Sequence, residues 1–115
     1  MHELSIALSI VDGVLEEAER HGAAQVETVF VRVGELSGVD KDALLFSYQI
    51  ASQDTPLRNS RLVIEEVGVV IHCPACNADL PAHSFPALYC ANCGTLADRV
   101  VEGEQLEITR LELAA

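Results

Sequence analysis

Two C-x-x-C pairs, Cys73 with Cys76 and Cys90 with Cys93, lie in the stretch HCPACNADLPAHSFPALYCANCG, thirteen residues (77–89) apart. A two-residue gap lets both thiolates of a pair bend toward one ion, and two such knuckles supply the four sulfurs of a tetrahedral site with Zn–S near ~2.3 Å. Gly94, and less readily Asn77, stand where a knuckle gains from a residue free to adopt positive φ, which turns backbone N–H groups toward the sulfurs. Four thiolates also suit iron in a rubredoxin-like site, and colour would separate the two metals. For either pair alone the alternative is a redox dithiol, which the second pair at ribbon spacing disfavours. Four sulfurs leave no open position for water or substrate, so the site is expected to be structural and not catalytic. Its metal would hold together a lobe too small to build a core of its own. His72 and His83 lie in the same stretch and could in principle exchange for a sulfur; with four cysteines present, the plainer reading is two solvent-facing loop histidines.

A second constellation opens the chain as MHELS. The terminal amine of Met1 and the backbone amide nitrogen of His2 can close a five-membered chelate on one ion, and the His2 imidazole can add a six-membered ring. Planar nitrogen sets of this kind favour Ni(II) or Cu(II). The plainer reading of His2 is an unordered or helix-capping residue. Glu3 likewise suits the positive first turn of a helix. Spacing alone leaves both readings open.

These residues need elements to position them. Leu4, Ala7, Leu8, Val11, Val14, Leu15 and Ala18 recur at three- and four-residue steps and predict a helix from about the third residue to about Arg20, stopped by His21-Gly22. In QVETVFVRVGEL, Val29, Val31 and Val33 alternate with Phe30 and Arg32, which predicts a strand ending near Gly34. Ser37 or Asp40 would cap a second helix with Val39, Ala43, Phe46 and Ile50 as its core stripe. SQDTPLRNS reads as a turn, RLVIEEVGVVI as a second strand, and EQLEITRLEL as a third after the turn EGE. The last strand must return past the cysteine segment, so that segment is an inserted lobe. The expected fold is α+β: two helices packed on a small three-stranded sheet, with a four-cysteine zinc-ribbon lobe inserted between the second and third strands. Val67 to Val69 and Val101 to Gly103, each with a Gly, are candidate hinges.

Composition narrows the function. Seven Lys+Arg against eighteen Asp+Glu give a formal charge of −11, which opposes the phosphate neutralisation that dominates nucleic-acid affinity. There is no Trp, with three Phe and two Tyr, so stacking platforms for single strands are scarce. The opening segment lacks a basic n-region and is broken by Asp12, Glu16 and Glu17, so neither a signal peptide nor membrane insertion is expected, and a reducing cytoplasm is. No nucleophile elbow, phosphate loop, H-E-x-x-H pair or open zinc site is visible, so the chain is not read as an enzyme. Glu16 with Glu17, and Glu65 with Glu66, read as solvated faces. A zinc-ribbon nucleic-acid-binding or transcription-associated adaptor is the competing class; it accounts for the cysteines but leaves MHE unexplained.

MHELS, VRVGELSGV, and CPAC with CANCG resemble, in order and spacing over nearly the whole chain, the HypA/HybF family of nickel-delivery proteins in [NiFe]-hydrogenase maturation. The resemblance implies a nickel metallochaperone. His2 would carry the nickel-binding imidazole, the Met1 amine and the backbone nitrogens of His2 and Glu3 would be co-ligands, and the Glu3 side chain would support or dock the site. Cys73, Cys76, Cys90 and Cys93 would bind structural Zn(II). Residues 1–69 plus 102–115 would then form the nickel-binding α+β domain and 70–101 the zinc-binding domain. The implied partners are a HypB-type GTPase and the [NiFe]-hydrogenase large subunit, with urease in some organisms, and no nucleic acid. Ala91 stands where many relatives carry Pro, and LLFSY matches the family's aromatic helix more loosely; neither departure touches a proposed ligand.

Overall fold

The computed structural model describes residues 2–22, 25–83 and 88–114, with the His83 side chain and Met1 outside that set. In chain order the elements are α1 (Glu3–Arg20), β1 (Val26–Gly34), α2 (Lys41–Ser52), β2 (Arg61–Val67), β3 (Val70–Cys73), β4 (Ala78–His83), β5 (Tyr89–Cys90), β6 (Arg99–Glu102) and β7 (Leu106–Leu113). They form two compact units. One comprises residues 1–32, 38–65 and 107–115, and the other 33–37 and 66–106.

In the first unit, α1 buries Ala7, Ile10, Val11, Val14 and Ala18. Leu4 and Leu8, expected in that stripe, are exposed, and Ile10 is buried in their stead. Leu8 lies about 100° round the helix from Ala7, on the flank, and Leu4 sits in the first turn before any buried residue. Gly22, at φ 66°, ends the helix as expected. β1 is the middle strand of a sheet ordered β2-β1-β7, so the last strand does return beside the first. Val29, Val31 and Val33 of β1 are buried on the alternation. On its other face the Arg110 guanidinium lies 3.9 Å over the Phe30 ring. Arg32 pairs at 3.5 Å with Glu65 and 3.9 Å with Glu107, one from each neighbouring strand. Such surface pairs are worth little individually.

The second helix starts as read, with Asp40 Oδ1 accepting from the Ala43 N–H at 2.9 Å, but it is turned on its axis. Leu44, Ser47, Tyr48 and Ser52 are buried, whereas Phe46 and Ile50 of the expected stripe are 64% and 49% exposed. Tyr48 decides the orientation: it buries its ring because its hydroxyl finds Ser60 Oγ at 2.6 Å, and Ser60 in turn donates to the Leu57 carbonyl at 2.6 Å. A buried phenol so satisfied contributes a large apolar area without an orphaned polar atom. Burial also raises the Tyr48 pKa, more than the Ser60 bond lowers it.

The second unit contains an antiparallel four-stranded sheet ordered β5-β4-β3-β6. RLVIEEVGVVI, expected as one strand, is thus two: β2 belongs to the first sheet and β3 to the second. Within this unit the chain leaves β2 at Val67, whose carbonyl accepts from the Glu35 N–H at 2.9 Å. β3 then pairs with β4 (His72 opposite Asp79, Cys73 opposite Ala78) and with β6. Contrary to expectation, the unit has a small core of its own. Val69, Ile71, Cys73 and Cys90 are buried together, with Leu80, Ala82, Leu88 and Val100 packed against them.

Residues 33–37 are built into the same unit through backbone bonds. The Gly34 N–H donates to the Gln105 carbonyl and the Leu36 N–H to the Gly103 carbonyl, both at 2.7 Å. A Cβ on Gly34 would collide with the Gly103 carbonyl and lie 2.7 Å from the Gln105 nitrogen. Backbone cannot swing aside as a side chain can, so Gly34→Ala should destabilise the fold by about 1–3 kcal/mol, the usual range for overpacking. Gly68→Ala, whose added Cβ meets nothing within 4 Å, should shift the denaturation midpoint far less. Equal midpoints for the two variants would contradict this account.

Candidate metal centre

The first knuckle is a hairpin turn. β3 ends at Cys73, residues 74–77 turn, and β4 begins at Ala78. Asn77 takes φ 52°, the left-handed conformation expected of the residue after the pair. The second knuckle follows Cys90 at the end of β5, and Gly94 closes it at φ 76°. The Gly94 N–H donates to the Cys90 carbonyl at 2.9 Å, and the Cys90 N–H to the Thr95 carbonyl at 2.8 Å.

Together the two turns bring all four sulfurs within 4.8 Å of one another, and this is the one such ligand cluster among the described residues. Cys73 and Cys93 Sγ are 3.5 Å apart, Cys76 and Cys93 3.6 Å, and Cys76 and Cys90 4.0 Å. A tetrahedron with metal–sulfur bonds of about 2.3 Å has edges of about 3.8 Å, so the spacing fits one tetrahedral ion. None of the four is in a disulfide. Cys73 and Cys90 are buried, Cys76 half-buried and Cys93 exposed.

Hydrogen bonds distinguish the sulfurs further. The Cys76 N–H donates to Cys73 Sγ at 3.4 Å and the Asn92 N–H to Cys90 Sγ at 3.3 Å. The side-chain amide of Asn92 reaches Cys76 Sγ at 3.5 Å, and the Thr95 hydroxyl lies 3.2 Å from Cys93 Sγ. Thr95, through its hydroxyl and then its backbone N–H, is the main cause holding the Cys93 thiol low, at about 6. Cys76 moves the opposite way. The Asn92 amide lowers it, but the neighbouring sulfurs of Cys93, Cys73 and Cys90, with some desolvation, outweigh that and push it up to about 11. Several thiolates this close repel one another, and a bound cation is the ordinary remedy.

His72, read as a loop residue, instead lies within β3, and its Nδ1 is 3.0 Å from Asp79 Oδ1 across the β3–β4 ladder. That bond and a side-chain exposure of 17% correct the solvent-facing reading. His83 closes β4, and its side chain lies outside the described residues.

The amino-terminal residues belong to the first unit. His2 is exposed and occupies the N-cap of α1 in an extended conformation (φ −93°, ψ 97°) without a side-chain capping bond; its carbonyl accepts from the Ile6 N–H at 3.2 Å. The Glu3 carboxylate accepts the Asp40 backbone N–H at 3.2 Å, which ties the first turn of α1 to the cap of α2. That bond is the leading cause of a lowered Glu3 pKa. Met1 lies outside the described residues. Sequence reasoning missed Asp79, Asn92, Thr95 and the Glu3–Asp40 link. The first and last depend on tertiary register, whereas a polar residue one or two positions from a knuckle cysteine was a usable signal for Asn92 and Thr95.

A family described as "Hydrogenase/urease nickel incorporation, metallochaperone, hypA" matches residues 1–113. Hydrogenase maturation factor HypA of Chloroflexus aggregans is 41% identical over 112 residues, covering 97% of this chain and 98% of that protein. Its counterpart from Roseiflexus sp. is 42% identical over 112 residues, covering 97% and 91%. The fold is similar to the solution structure of the Ni metallochaperone HypA from Helicobacter pylori, with a TM-score of 0.70 and 24% identity over 100% of this chain and 99% of that one. A second solution structure of HypA protein gives 0.73 at 24% identity, covering 100% and 98%. Among the described residues no helix is long and apolar enough to cross a membrane. On these matches the chain belongs to the HypA family of nickel metallochaperones in hydrogenase maturation, whose members are maturation factors and not catalysts.

Proposed function

We propose that the chain takes up Ni(II) at its amino terminus, through the Met1 amine, the His2 imidazole and the backbone nitrogens of His2 and Glu3, and passes it to an apo-enzyme. The observation that carries this reading is His2 itself, exposed at the head of α1 and free of a capping bond, in a chain of this family. A capping histidine would be committed to the helix; this one is available to an ion. Glu3 is the supporting residue in this reading, since its carboxylate is occupied by the Asp40 N–H.

Delivery needs a site that can be dismantled. An end of the chain can peel away with little loss of packing, and amine and amide nitrogens regain protons as the ion leaves. Nickel affinity should therefore fall as pH falls, by about tenfold or more per pH unit on the acid side of neutrality, each displaced proton contributing one factor of ten. Isothermal titration across pH would measure that slope.

Cys73, Cys76, Cys90 and Cys93 are assigned to a resident Zn(II), in keeping with their spacing and softness. Bound zinc would supply charge neutralisation and a cross-link between the two knuckles. The functional domains are then the nickel-binding residues 1–69 with 102–115 and the zinc-binding residues 70–101. The partners in this reading are a HypB-type GTPase and the [NiFe]-hydrogenase large subunit, with urease a second recipient, in the cytoplasm. The net charge of −11 favours basic patches on those partners. Membership of the family supports this reading over the nucleic-acid adaptor.

Metal analysis of protein with an untagged amino terminus tests both sites. One tightly held zinc and one exchangeable nickel per chain are expected. His2→Ala, or one residue added before Met1, should abolish nickel binding and spare zinc, and Cys73→Ser should do the reverse. Nickel binding that survives His2→Ala would overturn the assignment.

A further inference from the structure

Each sulfur of the cluster has a hydrogen-bonding partner outside the cluster or in its own turn, and side-chain partners occur only at the outer pair. Buried Cys73 and Cys90 take backbone N–H groups, from Cys76 and Asn92. The outer Cys76 and Cys93 meet side chains: the Asn92 amide donates to Cys76 Sγ at 3.5 Å, and Cys93 Sγ, which as a thiol donates to the Thr95 hydroxyl oxygen at 3.2 Å, would accept from that hydroxyl once it is a metal-bound thiolate. Backbone donors come with the turn of any C-x-x-C knuckle. Side-chain donors depend on which residues stand at positions 92 and 95. Both belong to the second knuckle, so that loop serves an outer sulfur of each pair.

We propose that Asn92 and Thr95 are positioning residues for the ion held by the cysteines, drawing charge off the two outer sulfurs and thereby setting how inertly the ion is held. The inference rests on the reading that the four cysteines bind resident zinc. A hydrogen bond stabilises a thiolate lone pair and lowers its nucleophilicity, and an outer sulfur is where a competing chelator or alkylating agent first gains access. Thr95 is well suited to the role because its backbone is held independently, its carbonyl accepting the Cys90 N–H at 2.8 Å. Removing the hydroxyl therefore leaves the loop's backbone bond in place. In the same way the Asn92 side chain can be removed without touching its own N–H bond to Cys90.

The test uses the full chain loaded with Co(II) for spectroscopy and with zinc for exchange. Thr95→Val should move the sulfur-to-cobalt charge-transfer band to lower energy, since the Cys93 sulfur becomes more electron-rich. It should also speed zinc loss to a competing chelator by on the order of tenfold, the scale of outer-sphere effects at metal sites. Thr95→Ser should restore both properties. Asn92→Ala should act in the same direction through Cys76, and it carries the test if Thr95→Val does not fold. Bands at the wild-type energy in the folded variants would overturn the inference. So would faster zinc loss with an unmoved band, or failure of Thr95→Ser to restore it, because either assigns these residues to packing alone. A wild-type chain with no four-sulfur cobalt spectrum would instead remove the zinc reading beneath it.

Discussion

Four sulfurs gathered within 4.8 Å impose an electrostatic constraint that much of the second unit is arranged to meet. As thiols they waste their ligand capacity, and as thiolates without a cation they repel one another at short range. Thr95 draws Cys93 down to about 6, while Cys76, lowered by the Asn92 amide but raised more by the neighbouring sulfurs, is driven up to about 11. The surrounding structure holds the sulfurs together regardless. Cys73 and Cys90 are packed into the same apolar cluster as Ile71 and Val69, so their positions are fixed by burial as well as by the turns. Asn77 and Gly94 each turn a knuckle through positive φ. A lobe with only a small core gains most from any cross-link added at this point.

Residues 33–37 show how a distant part of the chain becomes part of that lobe. In sequence they link β1 to α2, yet by contact they belong with 66–106. The reason is a close approach of backbone to backbone at Gly34 and Gly103, secured by the bonds from Gly34 to Gln105 and from Leu36 to Gly103. This gives the VGEL segment, one of the stretches on which the family resemblance rested, a physical reason for its glycine. No side chain of any size fits between those strands.

The parts readable from sequence were those that local chemistry dictates. Ligand geometry fixes the C-x-x-C gap, helical periodicity marks α1, and β-branched alternation marks β1. The unreadable parts depended on partners far along the chain. Nothing within RLVIEEVGVVI reveals that its two halves pair in different sheets, because the apolar alternation at Val67, Val69 and Ile71 runs straight through. The face of α2 was misjudged because Phe46 and Ile50 are the more hydrophobic residues, whereas the structure favours a tyrosine whose hydroxyl has a partner in Ser60. His72 looked free because Asp79 comes opposite it only through the β3–β4 register. For the amino terminus, sequence chemistry alone left two readings open, because neither a chelating nor a helix-capping role is dictated by the residue types there.

Holding two ions in one chain poses a problem of discrimination, because nickel also binds thiolates and zinc also binds imidazole. The proposed assignment resolves it through geometry and lability as well as ligand softness. The cysteine cluster matches a tetrahedron and leaves no open position, so an ion seated there exchanges only by breaking a sulfur bond. The proposed amino-terminal set is planar and nitrogen-rich, and it becomes a ligand set only when protons leave it, so protonation works against retention there. His2 lies at the exposed head of a helix whose first buried residue is Ala7. Releasing an ion from it disturbs almost nothing in the core. Release from the cysteines would remove a cross-link from the cluster that holds Cys73 and Cys90 beside Ile71. Under this assignment the ion to be delivered sits where loss is easy, and the ion to be kept sits where loss would strip a small core of its cross-link.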